Sequence, residues 1–291
     1  MRELLGYIGL RLGVGLVGLL PGGVARKLGW VCGGLWHRFD RGRREMAQRH
    51  MTRVLGKSEH AKTSSKTVME SYGRYWAETL WVRERRVVGL LANTTVEGLD
   101  FILSARDART GMIYALPHMG NWEAAAPVSG TAGVPVVAVA EQLGNRRITR
   151  WFIEQRAQFG IEVVLATGRA EVMRSLERAI SENKAVALLS DRDLRGHGVK
   201  VKFFGEETTL PPGPASLALK TGAPLLPVAS YFEEGGHRVV ITEPIPVPDI
   251  GTRVEKVQTM TQEFATRMED LIRRAPEQWH LVVPNWPSDR V

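Results

Sequence analysis

The stretch Gly111-Met112-Ile113-Tyr114-Ala115-Leu116-Pro117-His118-Met119-Gly120-Asn121-Trp122-Glu123 decides the fold. Its first half is an unbroken apolar run of strand length and reads as a buried strand. Asn121, followed by Trp122-Glu123-Ala124-Ala125-Ala126, reads as the start of a helix. The stretch is therefore a strand-to-helix turn, the place where α/β folds often expose reactive groups.

A histidine and a glutamate stand in that turn. An imidazole of ordinary pKa is neutral often enough near neutral pH to take a proton from a hydroxyl. A carboxylate at its other ring nitrogen fixes the tautomer and stabilises the imidazolium. On one continuous helix five positions turn through about 500°, leaving the two side chains roughly 140° apart. A bent strand end, with His118 before the helix and Glu123 in its first turn, brings them together. The plainer alternative is a surface histidine beside a glutamate favourably placed at a helix N-terminus.

Working outward, apolar runs recur at 134–139, 161–165, 185–189, 225–228 and 239–241. Helical stretches lie between several of them, at 146–159, 169–182 and 214–221, and an amphipathic helix closes the chain at 253–274. This alternation predicts an α/β fold with a central mixed sheet flanked by helices. Residues 28–91 read as mostly helical, with Met69, Tyr72, Trp76 and Leu80 at helical spacing as core packing. No internal repeat, low-complexity tract or long linker interrupts the chain.

A chain of 291 residues, 44% hydrophobic and 24% charged, can bury a full core as one large domain or a domain with an appendage. Charge is unevenly placed: residues 1–60 hold eleven Lys and Arg against four Asp and Glu, in a chain of net charge +8. The basic residues Arg38, Arg41, Arg43, Arg44, Arg49 and Arg53 accompany the apolar segments 4–20 and 28–36. That combination suits an anionic membrane surface. Nucleic acid is the competing partner, but no binding motif or aromatic-basic interleaving supports it. The segment 4–20 is short for a span, carries Arg11 near its middle and holds five glycines. Leu5, Ile8, Leu12, Leu16 and Leu19 form one apolar face, so a helix lying on the membrane is expected. A cleaved signal peptide has the weaker case, since Glu3 spoils the basic start. Residues 1–60 are accordingly read as a helical, membrane-associating portion and 61–291 as one continuous catalytic domain.

The single cysteine, Cys32, excludes an intramolecular disulfide and reads as a packed small hydrophobe. The histidines other than His118 are scattered without metal-ligand spacing, and no metal is expected. Three further clusters bear on chemistry. Glu141 ends a strand and precedes several arginines, Arg156 among them; a solvated helix face is the plain account of most of these. Asp191-Arg192-Asp193 follows another apolar strand, where local ion pairs closing a loop are the alternative. Phe203-Phe204-Gly205-Glu206 precedes Pro211–Pro214, which reads equally as an anion-facing helix start or a rigid turn.

Taken in order, these blocks, with Thr221–Val228 and Pro284-Asn285-Trp286, resemble the lysophospholipid acyltransferase superfamily. More narrowly they resemble its lipid A biosynthesis branch, whose His-x4-Glu block carries the Gly-Asn-Trp filling seen here. The match covers essentially the whole chain, and the Ser190-Asp191-Arg192-Asp193-Leu194 and Phe203–Glu206 segments look most like actinobacterial phosphatidylinositol mannoside acyltransferases. The resemblance implies acyl-CoA, palmitoyl-CoA above all, as donor substrate, with no bound cofactor. It implies as acceptor the 6-hydroxyl of the mannose on position 2 of inositol in a membrane phosphatidylinositol mannoside, on the cytoplasmic face of the cell membrane. By motif His118 is the general base and Glu123 the carboxylate that orients it. Asn121, Glu141, Arg156, Asp191, Arg192, Asp193, Phe204, Gly205 and Glu206 are expected to hold polar groups of donor or acceptor. A lipid A-type enzyme with another glycolipid acceptor and a non-catalytic lipid-binding membrane protein are the alternatives. A hydrolase stands behind them, because no Gly-x-Ser-x-Gly elbow is present.

Overall fold

The computed structural model describes residues 2–56, 59–193 and 196–290. Five helices come first: α1 (Arg2–Leu19), α2 (Gly22–Phe39), α3 (Arg41–Leu55), α4 (Glu59–Trp81) and α5 (Glu84–Ala92). Then follow β1 (Thr94–Glu97), α6 (Leu99–Asp107), β2 (Met112–Leu116), α7 (Ala126–Thr131), β3 (Val136–Ala140), α8 (Arg146–Ala157), β4 (Ile161–Leu165), α9 (Arg169–Ser181) and β5 (Ala185–Leu189). The remainder comprises β6 (Val199–Phe203), β7 (Glu206–Leu210), α10 (Gly213–Thr221), β8 (Leu225–Phe232), β9 (His237–Ile241) and α11 (Arg253–Arg273).

Seven strands form one sheet in the order β1-β9-β8-β2-β5-β3-β4, and β6 and β7 form a separate antiparallel pair. The five strands from β8 to β4 run parallel, whereas β9 is antiparallel to β8 and carries β1 parallel to itself. Alternation along β2 sorts the two faces. Met112, Tyr114 and Leu116 face a core shared with Ile102 of α6 and Val128 of α7. Ile113 and Ala115 face the larger core of Leu176 (α9), Leu217 (α10) and Phe264 (α11). Covering both faces is what allows β2 to be apolar at every position.

The order of strands also places a crevice. After β2 the chain moves past β5 to reach β3; after β5 it moves past β2 to reach β8. The connections from these neighbouring strands leave for opposite faces of the sheet, α7 on one and α10 on the other, and the gap at their carboxyl ends is a topological switch point. His118 and Asp191 both lie there, each two residues beyond its strand, with Leu116 and Leu189 paired in register.

The N-terminal helices pack on this body through small residues. Gly29 and Gly33 of α2 lie so close to α4 that a Cβ would strike Gly73 O, Ala77 Cβ and Met69 O. Both α1 and α2 also carry exposed apolar side chains: Leu12, Leu16 and Leu19 of α1 are 63%, 67% and 83% exposed, and Trp30, Val31 and Leu35 of α2 are exposed. Cys32 is exposed as well, which corrects the expectation that it packs inside. Among the described residues no helix is long and apolar enough to cross a membrane. The basic cluster is divided. Arg53 turns inward to Asp289 and Glu206, while Arg41 and Arg43 stay at the surface beside Glu45 and Asp40.

Candidate active site

The turn after β2 is held open by its own residues. Gly120 has φ of +55°, and a Cβ there would strike Ser230 O of β8, so only glycine fits. Asn121 caps the short helical turn Trp122–Ala125 by accepting from Ala124 N, and its Nδ2 donates to Glu78 Oε2 at 2.9 Å. Glu78 is buried, and its oxygens also accept from His237 Nε2 (2.8 Å) and Arg74 Nε (3.1 Å). Burial pushes this carboxyl up, but the His237, Arg74 and Asn121 donors outweigh it and hold it down at about 2. The fully buried Asn121 amide is thus used inside the fold, which corrects its assignment to substrate.

His118 meets a carboxylate, and that carboxylate is Asp191. The Nδ1–Oδ1 distance is 2.6 Å, and the His118 backbone N–H donates to Oδ2 at 3.0 Å. Trp279 Nε1 donates to the same Oδ2 at 2.9 Å. Asp191 is fully buried, so it offers nothing to a sugar hydroxyl, and its expected place on the rim is corrected accordingly. Burial raises its pKa, yet the charge and two hydrogen bonds of His118, with that of Trp279, hold the group below the usual carboxylate range. An ionised Asp191 at 2.6 Å requires the proton on Nδ1, leaving Nε2 with its lone pair. The His118 side chain stays one-fifth exposed.

Glu123 takes a different partner. Its Oε1 accepts from Arg156 Nε at 2.9 Å and from the second guanidinium nitrogen at 2.8 Å, while Oε2 has no partner among the described residues. The expectation that Glu123 orients His118 is therefore corrected. The glutamate does stand in the first turn after Asn121, but its side chain meets Arg156 of α8 instead.

The Glu123–Arg156 pair, with the Tyr114 and Ser129 hydroxyls, supplies the polar groups of an otherwise apolar cavity of about 80 Å³. Trp122 also lines it, and its ring lies edge-on to His118 at 5.3 Å. Leu116, Tyr114, Val136, Ala187 and Val228 form the wall below. Tyr114 lies four residues before His118, which at a strand rise of about 3.3 Å puts it about 13 Å deeper. There its hydroxyl meets Ser129 Oγ at 2.9 Å.

The other expected residues divide in two. Glu141 is exposed just beyond β3, and Arg192 is half-buried next to Asp191 with its Nε unpaired among the described residues. Both stand on the carboxyl side of the sheet. Asp193, in contrast, closes its own loop, accepting from Gly196 N, Gly198 N and Thr209 Oγ1. Leu194 lies outside the described residues. Phe204 and Gly205 form the tip of the β6–β7 hairpin, both at positive φ. Phe204 packs on Trp279 at 5.7 Å, and Glu206 binds Arg53 and Ser288. Trp279 and His280 carried no signal in the local sequence. His280 stacks on Tyr72 behind His118, bonded to Ser71 Oγ at 2.9 Å, and burial beside His118 pushes its pKa down to about 3.

Residues 2–288 match the model of the bacterial lipid A biosynthesis acyltransferase family. The chain belongs to that family. It is an acyltransferase. It is 33% identical over 285 residues to a phosphatidylinositol mannoside acyltransferase of Mycolicibacterium smegmatis, covering 97% of this chain and 91% of the relative. It is 34% identical over 251 residues to a protein of the same name from Mycobacterium tuberculosis, covering 84% of this chain and 78% of the relative. The family match thus runs through the helical N-terminal portion, the turn after β2 and the C-terminal segment alike.

Proposed function

We propose that this acyltransferase moves a fatty acyl group, palmitoyl in the first instance, from acyl-CoA to the mannose 6-hydroxyl of a phosphatidylinositol mannoside. The observation that carries the reading is the His118–Asp191 pair beside an apolar cavity lined by Trp122, whose ring lies edge-on to His118. His118 Nε2 removes the proton from the sugar hydroxyl while that oxygen attacks the thioester carbonyl. Asp191 balances the imidazolium charge, and His118 returns the proton to the departing thiolate as the tetrahedral intermediate collapses. Backbone amides of the turn or a nearby basic side chain stabilise the oxyanion. No acyl-enzyme is required. The acyl chain lies in the cavity, with Trp122 at its entrance and the Tyr114–Ser129 pair toward its deep end. Glu141 and Arg192 meet polar groups of donor or acceptor at the rim, Arg192 being suited to a phosphate.

Both substrates are amphiphiles, and the exposed apolar side chains of α1 and α2 with the surface arginines support docking on the cytoplasmic face of the cell membrane. The names of the relatives support the mannoside as acceptor. Labelled palmitoyl-CoA offered with purified phosphatidylinositol mannosides, and separately with a lipid A precursor, tests the reading. Labelled mannoside is expected; label on the lipid A precursor alone would move the acceptor and overturn this assignment.

A further inference from the structure

The segment Gln278–His280 lies across the catalytic turn. Gln278 O accepts from Gly120 N at 2.9 Å, His280 N donates to His118 O at 2.7 Å, and Met119 and Trp279 form a bridge between them. The Gln278 side chain is tied to the backbone of Phe232 through both its oxygen (2.6 Å) and its nitrogen (3.2 Å), which anchors the segment on β8. Trp279 sends its indole inward from these ties. The ring is almost fully buried against His50, Phe203, Phe204 and Trp286.

Among the described residues, the donors to the Asp191 carboxylate are His118, through its backbone N and Nδ1, and Trp279. The His118 ring is the group to be positioned, and the backbone bond ties Asp191 only to the turn that carries that ring. Asn285 Nδ2 holds the Asp191 carbonyl at 3.1 Å, which fixes its main chain and not its carboxylate. A carboxylate torsion is broad and nearly two-fold, so an outside donor is needed to choose which oxygen faces the ring.

We propose that Trp279 is a positioning residue for acyl transfer: its indole N–H locks the Asp191 carboxylate and so keeps His118 Nε2 free to act as base. This rests on the reading of His118 as that base. The titratable groups around the pair are His280 on the same segment, Arg192 next to Asp191, and His50 with Asp289 and Arg53 on the other side of the indole. Removing the indole N–H leaves every one of them in place. It withdraws the positive end of a dipole beside the dyad, and the protonated dyad becomes easier to form.

The test compares Trp279→Phe with site-specific replacement of Trp279 by benzothienylalanine, which keeps the bicyclic shape and lacks only the N–H. In the isosteric variant kcat should fall roughly 5–30-fold with KM for both substrates within about twofold, as for loss of one hydrogen bond to a charged group. The acid limb of the kcat profile should move to higher pH. The downfield resonance of the His118 Nδ1 proton in the unliganded protein should shift or broaden. An isosteric variant with wild-type kcat, pH profile and resonance would overturn the proposal, and would do so even if only the Phe variant were impaired, because packing alone would then be responsible. The resonance is read without turnover, so failure of the acyltransferase reading stays separate from failure of this one.

Discussion

Asp191→Asn removes one charge and almost no volume, and the geometry dictates which way the amide must sit. Two N–H donors, from the His118 backbone and Trp279, converge on the Oδ2 position at 3.0 and 2.9 Å. The amide oxygen has to occupy that position, since an NH₂ there would face two donors. The amide nitrogen then stands 2.6 Å from His118 Nδ1 and donates to it. This forces the proton onto Nε2, the nitrogen that must accept from the sugar hydroxyl. The variant holds the wrong tautomer in a nearly unchanged fold, a change that costs about 10⁴ in turnover where a comparable triad has been altered this way. A loss of about 10³–10⁴, or about 4–5 kcal/mol of barrier, is therefore expected in kcat with KM little changed. Initial rates of labelled acyl transfer, with circular dichroism to establish folding, measure it. Combining it with His118→Ala should add almost nothing, because the two act as a unit. A folded Asp191→Asn enzyme within about tenfold of wild type would refute the tautomer argument.

Further outcomes follow from the same contacts. Glu123→Gln should lower kcat by less than about tenfold but destabilise the fold by about 3 kcal/mol, because it leaves the Arg156 guanidinium at the cavity wall without its charge partner; chemical denaturation and turnover on one sample separate the two effects. His280 is held neutral down to about 3 against an ordinary value of 6.5, so the unfolded chain binds a proton that the folded one refuses. Its contribution is complete above about pH 6.5 and is lost as pH falls toward 3, amounting to about 2 kcal/mol between pH 7 and pH 5. His280→Gln should flatten that part of the stability curve in urea titrations, and an unchanged slope would refute it. Leu12→Glu with Leu16→Glu on the open face of α1 should weaken co-sedimentation with anionic vesicles at least about tenfold. Unchanged vesicle binding would remove α1 from the membrane surface.

How much of this was legible in the sequence differs by element. The strands at 112–116 and 185–189 lie where continuous apolar runs place them, because a parallel strand covered on both faces must be apolar throughout, whereas 161–165 lies at the sheet edge and carries the exposed Glu162. β1 carries little signal because Thr94-Thr95-Val96-Glu97 is a short edge strand with no continuous apolar side. Val199-Lys200-Val201-Lys202-Phe203 carries a period of two, the signal of a half-buried strand. The turn that presents His118 was legible locally, since Gly120 and Asn121 answer to the needs of one turn. The carboxylate partner of His118 was not. Asp191 lies 73 positions away, and only the pairing of β2 with β5 brings it to the same level. Their matching offset from two apolar strands was visible, but that β2 and β5 are neighbours was not. Trp279 is further still, and nothing around it marks a donor to a buried carboxylate.

The central claim is that His118, oriented by Asp191, is the base that activates a phosphatidylinositol mannoside hydroxyl for direct attack on an acyl thioester. The rate of labelled palmitoyl transfer from palmitoyl-CoA to purified mannosides, in the wild type and in folded His118→Ala, tests it most directly. The account predicts labelled mannoside from the wild type and a rate lower by about 10²–10⁴ or more in the variant. Wild-type turnover by a folded His118→Ala enzyme would contradict it.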